Sequence, residues 1–164
     1  MKDYTNSVKD SATSNINKRF ANSSLEHAKL LTEELVKSAN TEVCLLTDNF
    51  HDKFYSSVKP TLINFLDKPN TTLKVVIANN NSNTLNDLIS EYPTQVLKKV
   101  IKLSDLPKDK GSNEYINYLI NDTNGFRYEY SDKNLNDGIV EAIANFNSLE
   151  EREHLKNHFD NMFK

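Results

Sequence analysis

The chain has 164 residues, 26% of them charged and 37% hydrophobic, with a formal net charge of −3. That length supports one domain with a substantial core, and the charge balance excludes a globally basic binder of nucleic acid or anionic membrane. The single cysteine, Cys44, excludes an intrachain disulfide, and no stretch has the length and apolarity of a membrane span.

Residues 1–22 are polar and carry no clear hydrophobic period. They predict a flexible tail ahead of a domain over 23–164, with Tyr4 and Phe20 able to dock locally. No apolar leader segment is present, and Cys44 sits in the apolar run VCLL as a small buried hydrophobe. A reducing, cytoplasmic setting is therefore expected. The excess of Asn, Lys and Ile is the bias of an AT-rich genome and suggests a phage or mobile-element origin.

Ser23-x-x-Glu26 has the form of a capping box. The helix it opens places Leu25, Ala28, Leu31, Leu35 and Ala39 on one face. Glu42–Thr47 reads as a strand buried on both faces and ended by Asp48-Asn49. A helix over 52–66 follows, with Pro60 predicting a break or kink. Leu73–Ala78 is a second buried strand, ending in Asn79-Asn80-Asn81. A short helix over 83–91 stops before Pro93, and Lys99–Leu103 makes a third strand.

Residues 104–113 read as a polar loop. Lys98, Lys99, Lys102, Lys108 and Lys110 form a local basic cluster, read either as a binding patch or as a solvated strand edge and loop. Tyr115–Tyr130 predicts a hairpin around Asn124-Gly125. Two helices are expected to finish the chain, over 135–146 and 149–163, the second opened by Ser148-x-x-Glu151. Helix–strand alternation predicts a mixed, mainly parallel α/β sheet flanked by helices. Ligands in such sheets gather beyond the strand ends, which directs attention to Thr47–His51, Asn79–Asn81 and the hairpin.

The order of elements over residues 24–163 resembles phospholipase D-like domains. The likeness rests on the tail from Asp122 to Phe163, including GFRYEY, EAIANFN and the closing amphipathic helix. Active members carry His-x-Lys-x4-Asp in pairs, one His attacking the phosphodiester and its partner protonating the leaving group. Short single-motif members form homodimers with the site between subunits. Asp122 matches the motif here, whereas Tyr115 and Asn117 stand in the His and Lys places. A tyrosine needs a strongly lowered pKa to act as nucleophile, and Asn117 supplies no cation. The resemblance therefore implies a catalytically silent, homodimeric module with a groove left for binding.

Several other residues invite a functional reading. His51-Asp52-Lys53 contains His-x-Lys at a strand-to-helix junction, where Asp52 also suits a helix N-terminus. His154 and His158 lie one helical turn apart, a zinc-like spacing without a third ligand in view, or a solvated face. Arg127 and Glu129 share a strand face, with Asp132 beyond, and read as a phosphate or carboxylate clamp or as a surface ion pair. Tyr115, Tyr118, Phe126, Tyr128 and Tyr130, with Asn117 and Arg127, form the candidate binding surface of the hairpin, the aromatics being read either as a recognition surface or as core packing and cross-strand pairs. No Gly-rich phosphate loop or Ser/His/Asp set is present, and neither a metal nor a cofactor is expected. The favoured function is binding of a protein partner, with nucleic acid second, to block or modulate a host nucleic-acid or defence system. The competing reading is a divergent phosphodiesterase using His51, Asp122, Arg127 and Glu129.

Overall fold

The computed structural model describes residues 2–109, 114–131 and 141–164, with backbone alone at 130–131. In chain order the helices are α1 (Lys2–Thr13), α2 (Leu25–Ser38), α3 (Asp52–Leu66), α4 (Asn83–Glu91) and α5 (Leu149–Phe163). The strands are β1 (Arg19–Asn22), β2 (Glu42–Asn49), β3 (Thr72–Asn79), β4 (Val96–Val100), β5 (Asn117–Asn121), β6 (Phe126–Ser131) and β7 (Glu141–Asn145). They form one sheet in the order β1-β7-β6-β5-β2-β3-β4.

The expectation of a mainly parallel sheet is not met. The β2–β3 and β3–β4 pairs are parallel, but β5–β2, β6–β5, β7–β6 and β1–β7 are all antiparallel. The cause lies in the connections. Helices α3 and α4 carry the chain back across the sheet between β2, β3 and β4, as parallel pairing requires. From β5 to β6 the chain turns back through four residues, and that hairpin sets the antiparallel half.

Two further expectations change. Within residues 2–22, expected to be a flexible tail, lie α1 and the edge strand β1. Val8 and Ala12 are buried, Tyr4 stacks on His27 with ring centroids 4.0 Å apart, and its hydroxyl donates to the Ala21 carbonyl at 3.1 Å. A thin stripe of Tyr4, Val8 and Ala12 at spacing four provides the buried face. The segment EAIAN, expected within a helix over 135–146, is β7; residues 132–140 lie outside the described part. Pairing with β6 and β1 on both sides overrides the helix preference of its alanines.

Local signals hold in part. The α2 cap is Ser24, one residue beyond the expected Ser23, accepting from the His27 amide at 3.2 Å. At α5 the cap is Ser148, whose hydroxyl donates to Glu151 at 2.7 Å instead of bonding the helix amides. Helix α3 continues through Pro60, with Val58 and Leu62 anchored in the core on either side. The third strand begins at Val96. In the hairpin turn the left-handed φ falls on Asn124, at 68°. Gly125 serves close packing: a Cβ there would meet Leu35 Cδ2 at 2.6 Å and Asn121 Oδ1 at 2.9 Å.

The sheet is covered on both faces. Helices α1–α4 pack on one, where Val43, Leu45, Val75, Ile77 and Leu119 meet Leu31, Leu35, Leu62 and Leu85. Helix α5 packs on the other, where Cys44, Leu46, Val76, Tyr118, Ile120 and Phe126 meet Phe159. Cys44 is buried as expected, and burial, reinforced by Glu42, pushes its thiol far above the ordinary range.

Asp52 joins two helices. At the first turn of α3, its carboxylate accepts from Ser82 Oγ at 2.6 Å, Thr84 N at 2.9 Å and Asn83 N at 3.1 Å, covering the start of α4. The hydroxyl of Ser82 and the Thr84 amide hold its pKa down at about 2. Because the folded pKa lies below the unfolded value of about 3.9, this contribution is complete above pH ~4 and fades as pH falls toward ~2. Asp52→Ala should cost about 1 kcal/mol at neutral pH, as for loss of a helix cap. Urea titrations from pH 7 to 2 should show the mutant and wild-type stabilities converging at the acid end.

Candidate functional site

The side-chain alternation of β5 and β6 sets the geometry of the site. Asn117 pairs with Glu129 across the strands and Leu119 with Arg127, so all four face α2 and α3. They meet Leu45, Thr47 and Asn49 of β2, His51 beyond it, and Phe54 and Tyr55 of α3. Together with Ala28 and Thr32 of α2 these residues line a cavity of about 30 Å³. Such a volume holds roughly one or two water molecules.

Arg127 and Glu129 are paired, with Arg127 Nη1 donating to Glu129 Oε2 at 2.6 Å. The side chains are only 8% and 13% exposed, so this is a buried ion pair and not the surface pair considered from sequence. Arg127 Nε and Nη2 are buried and meet no hydrogen-bond acceptor among the described residues. A buried donor without an acceptor costs about 1–3 kcal/mol. The Tyr55 hydroxyl lies in the same environment. Burial pushes its pKa above the ordinary range, Glu129 and Asp48 adding to the rise and Arg127 opposing it. Its ring stacks on Phe50 with centroids 3.8 Å apart.

The residues that the sequence resemblance set in the motif places make structural contacts. Asn117 Oδ1 accepts from the Asp48 amide at 2.9 Å and joins β5 to β2. The Asp122 carboxylate accepts from Asn40 N, Thr41 N and Thr41 Oγ1, each at 2.8 Å, closing the α2–β2 connection. Tyr115 forms an isolated bridge with Lys108 and packs against the core beneath α5, with Lys108 Nζ 5.0 Å from its ring centroid. Tyr115 and Asn117 therefore do not share a pocket, because regular strand alternation begins only at Asn117. Asp122 lies apart from the cavity, whereas His51, Arg127 and Glu129 line it together.

Of the two readings of the hairpin aromatics, surface or core, the packing places Tyr118 and Phe126 in the core. Tyr118 and Phe126 are 2% exposed and belong to the core under α5; Tyr115 and Tyr128 are half-buried beside them. Cover of this face is partial, since Phe126 and Tyr128 line a groove of about 380 Å³ with Ile143 of β7 and Glu150, Glu151, His154 and Leu155 of α5. Asn117 and Arg127 are buried on the opposite face. The side chain of Tyr130, together with Asp132 and Lys110, lies outside the described residues.

His154 is exposed, whereas His158 takes a structural setting. His158 Nδ1 lies 2.7 Å from the Tyr118 hydroxyl, which donates to the Leu155 carbonyl at 3.3 Å. Burial and the neighbouring His154 lower the His158 pKa. Among the described residues no group of three or more His, Cys, Asp and Glu side chains is arranged to hold a metal. His51 is the N-cap residue of α3. Thr32 and Tyr55 are lining residues that sequence reasoning missed. For Tyr55 a signal existed in the Phe54-Tyr55 doublet, since both rings cannot follow one narrow apolar stripe.

This arrangement belongs to a phospholipase D-like fold. The chain resembles TrmBL2, described as an archaeal chromatin protein with a novel mode of DNA binding, with a TM-score of 0.62 and 14% identity. That match covers 89% of this chain and 52% of TrmBL2, so the chain spans about half of that relative's length. NucT from Helicobacter pylori, a phospholipase D-family protein, has a TM-score of 0.58 and 15% identity, covering 90% of this chain and 96% of NucT. Phosphatidylserine synthase of Haemophilus influenzae Rd KW20 has a TM-score of 0.56 and 7% identity, covering 88% of this chain and 37% of that one. No protein-family model matches the sequence, and no curated protein matches it.

The buried ion pair makes a specific stability prediction. Arg127→Met leaves Glu129 without its cation and should cost about 3–5 kcal/mol. Replacing both residues by Met removes the uncompensated charge and should recover most of that loss. Urea unfolding of the two single variants and the double variant measures the coupling; additive losses would mean the pair is not coupled.

Proposed function

We propose that this chain is a binding protein built on a phospholipase D-like fold and does not turn over phosphodiesters. The observation that carries this reading is the use of Asn117 and Asp122 as structural clamps. Neither the nucleophile nor the cation of the motif is present at Tyr115 and Asn117, and the cavity beside Asn117 is too small for a sugar phosphate. Covalent phosphoryl transfer needs both an activated nucleophile and positive charge at the developing phosphoryl oxygens.

The partner is a macromolecule met at the exposed edge strand β4. Leu97 and Val100 on the strand and Leu103 just beyond it are exposed among Lys98, Lys99 and Lys102, so this edge combines apolar and cationic contacts. A protein partner with an acidic surface fits best, and nucleic acid is the second fit. The DNA binding ascribed to TrmBL2 lends the latter support through a shared fold alone. Homodimerisation and interference with a host nucleic-acid or defence system complete the reading, supported by the resemblance of single-motif domains and by the AT-rich composition.

Divergent phosphodiesterase activity is the competing reading, favoured by His51 and Glu129 lining one cavity. Assays on single- and double-stranded DNA, RNA and bis(p-nitrophenyl) phosphate, with and without divalent metal, distinguish the two. The binding reading expects no turnover above buffer, together with a specific protein captured from the native host. Capture should fall at least about tenfold in Lys98→Glu/Lys99→Glu/Lys102→Glu, as reversal of several interface charges implies. Turnover that disappears in both His51→Ala and Glu129→Gln would establish the enzyme instead.

A further inference from the structure

Arg127 has more hydrogen-bonding capacity than its surroundings absorb. A guanidinium presents five N–H donors in a rigid fork. Glu129 occupies Nη1, while Nε and Nη2 are buried and reach no acceptor among the described residues. With the side chain 8% exposed, bulk water does not solvate those donors. Nε and Nη2 share one edge of the guanidinium, whose parallel N–H bonds match the two oxygens of a carboxylate.

The adjoining space fits the same ligand. Arg127 lines the cavity of about 30 Å³, with Thr47, Asn49 and Asn117 as further polar lining. Asn49, His51 and Phe54, which also line the cavity, are half-buried and so the cavity wall is partly formed by residues in contact with solvent. About 30 Å³ is the space of one or two water molecules, enough for the two oxygens of a carboxylate and not for a larger group. A halide supplies charge but cannot engage the two parallel donors through separate oxygens.

We propose that this cavity binds one small carboxylate, held by both of its oxygens on Nε and Nη2 of Arg127. The group comes either from a free small acid of formate or acetate size or from the tip of an Asp or Glu side chain on a bound protein. The assignment does not depend on whether the chain turns over a phosphodiester. Glu129 opposes the incoming charge, which makes the site weak and sensitive to neutralisation of that residue.

The chain has three arginines, Arg19, Arg127 and Arg152, so the Nε–Hε region of a nitrogen–proton correlation spectrum is simple to assign. Arg19→Lys and Arg152→Lys identify the Arg127 resonance by elimination. The intact labelled chain is titrated with sodium formate, sodium acetate, N-acetyl-aspartate methylamide and, at matched ionic strength, sodium chloride. The Arg127 resonance should move saturably with formate and acetate but not with chloride. Glu129→Gln should tighten binding on the order of tenfold by removing one adjacent negative charge. Saturation by the aspartate derivative as well supports an acidic side chain as the source; saturation by formate and acetate alone supports a free acid. No saturable movement in the wild-type chain, or the same movement with chloride, overturns the proposal. The wild-type titration decides by itself if Glu129→Gln does not fold.

Discussion

Strand β2 is paired on both edges and buried on both faces, and the rest of the molecule is arranged around that constraint. Its register runs parallel with β3 from Glu42↔Thr72 and antiparallel with β5 from Val43↔Asn121. A strand in that position has no solvent-facing side, so each neighbour must present apolar side chains to both layers. Helices α1–α4 close one layer and α5 closes the other. The polar residues of the β5–β6 hairpin are thereby drawn inside, beside Thr47 and Asn49 at the far end of β2.

Burial changes what those polar residues can do. In water Arg127 and Glu129 would form a weak, screened pair. Beneath α2 and α3 their charges depend on each other, since desolvation must be offset by mutual attraction and hydrogen bonding. The same confinement gives Asn117 the Asp48 amide as a partner and directs Asp122 to the backbone at Asn40 and Thr41. Asn117 and Asp122 thereby hold strands and a loop together, beside a cavity with a half-satisfied guanidinium.

The buried strands β2 and β3, the helix over 52–66, the short α4 and the Asn124-Gly125 turn were legible because each has a strong local signal. A continuous apolar run, a four-residue spacing or a turn dipeptide constrains the backbone within a few residues. The α1 stripe of Tyr4, Val8 and Ala12 was too thin to stand out from its polar surroundings, since its partner is the distant α2. The EAIAN segment carried a misleading signal. Alanine favours a helix in isolation, but a gap between β1 and β6 accepts its small side chains as strand.

The site divides along the same line. From the sequence alone, Arg127 and Glu129 lie on one face of a strand, Tyr115 and Asn117 are neither His nor Lys, and polar residues gather at the end of the Glu42–Thr47 run. These facts follow from residue identity and a period of two, which need no long-range information. Tertiary structure alone decided that the ion pair is internal, that Tyr118 and Phe126 are core, and that Tyr115 and Asn117 serve separate environments. Burial is a property of what covers a surface, and here the covering elements come from chain segments tens of residues away.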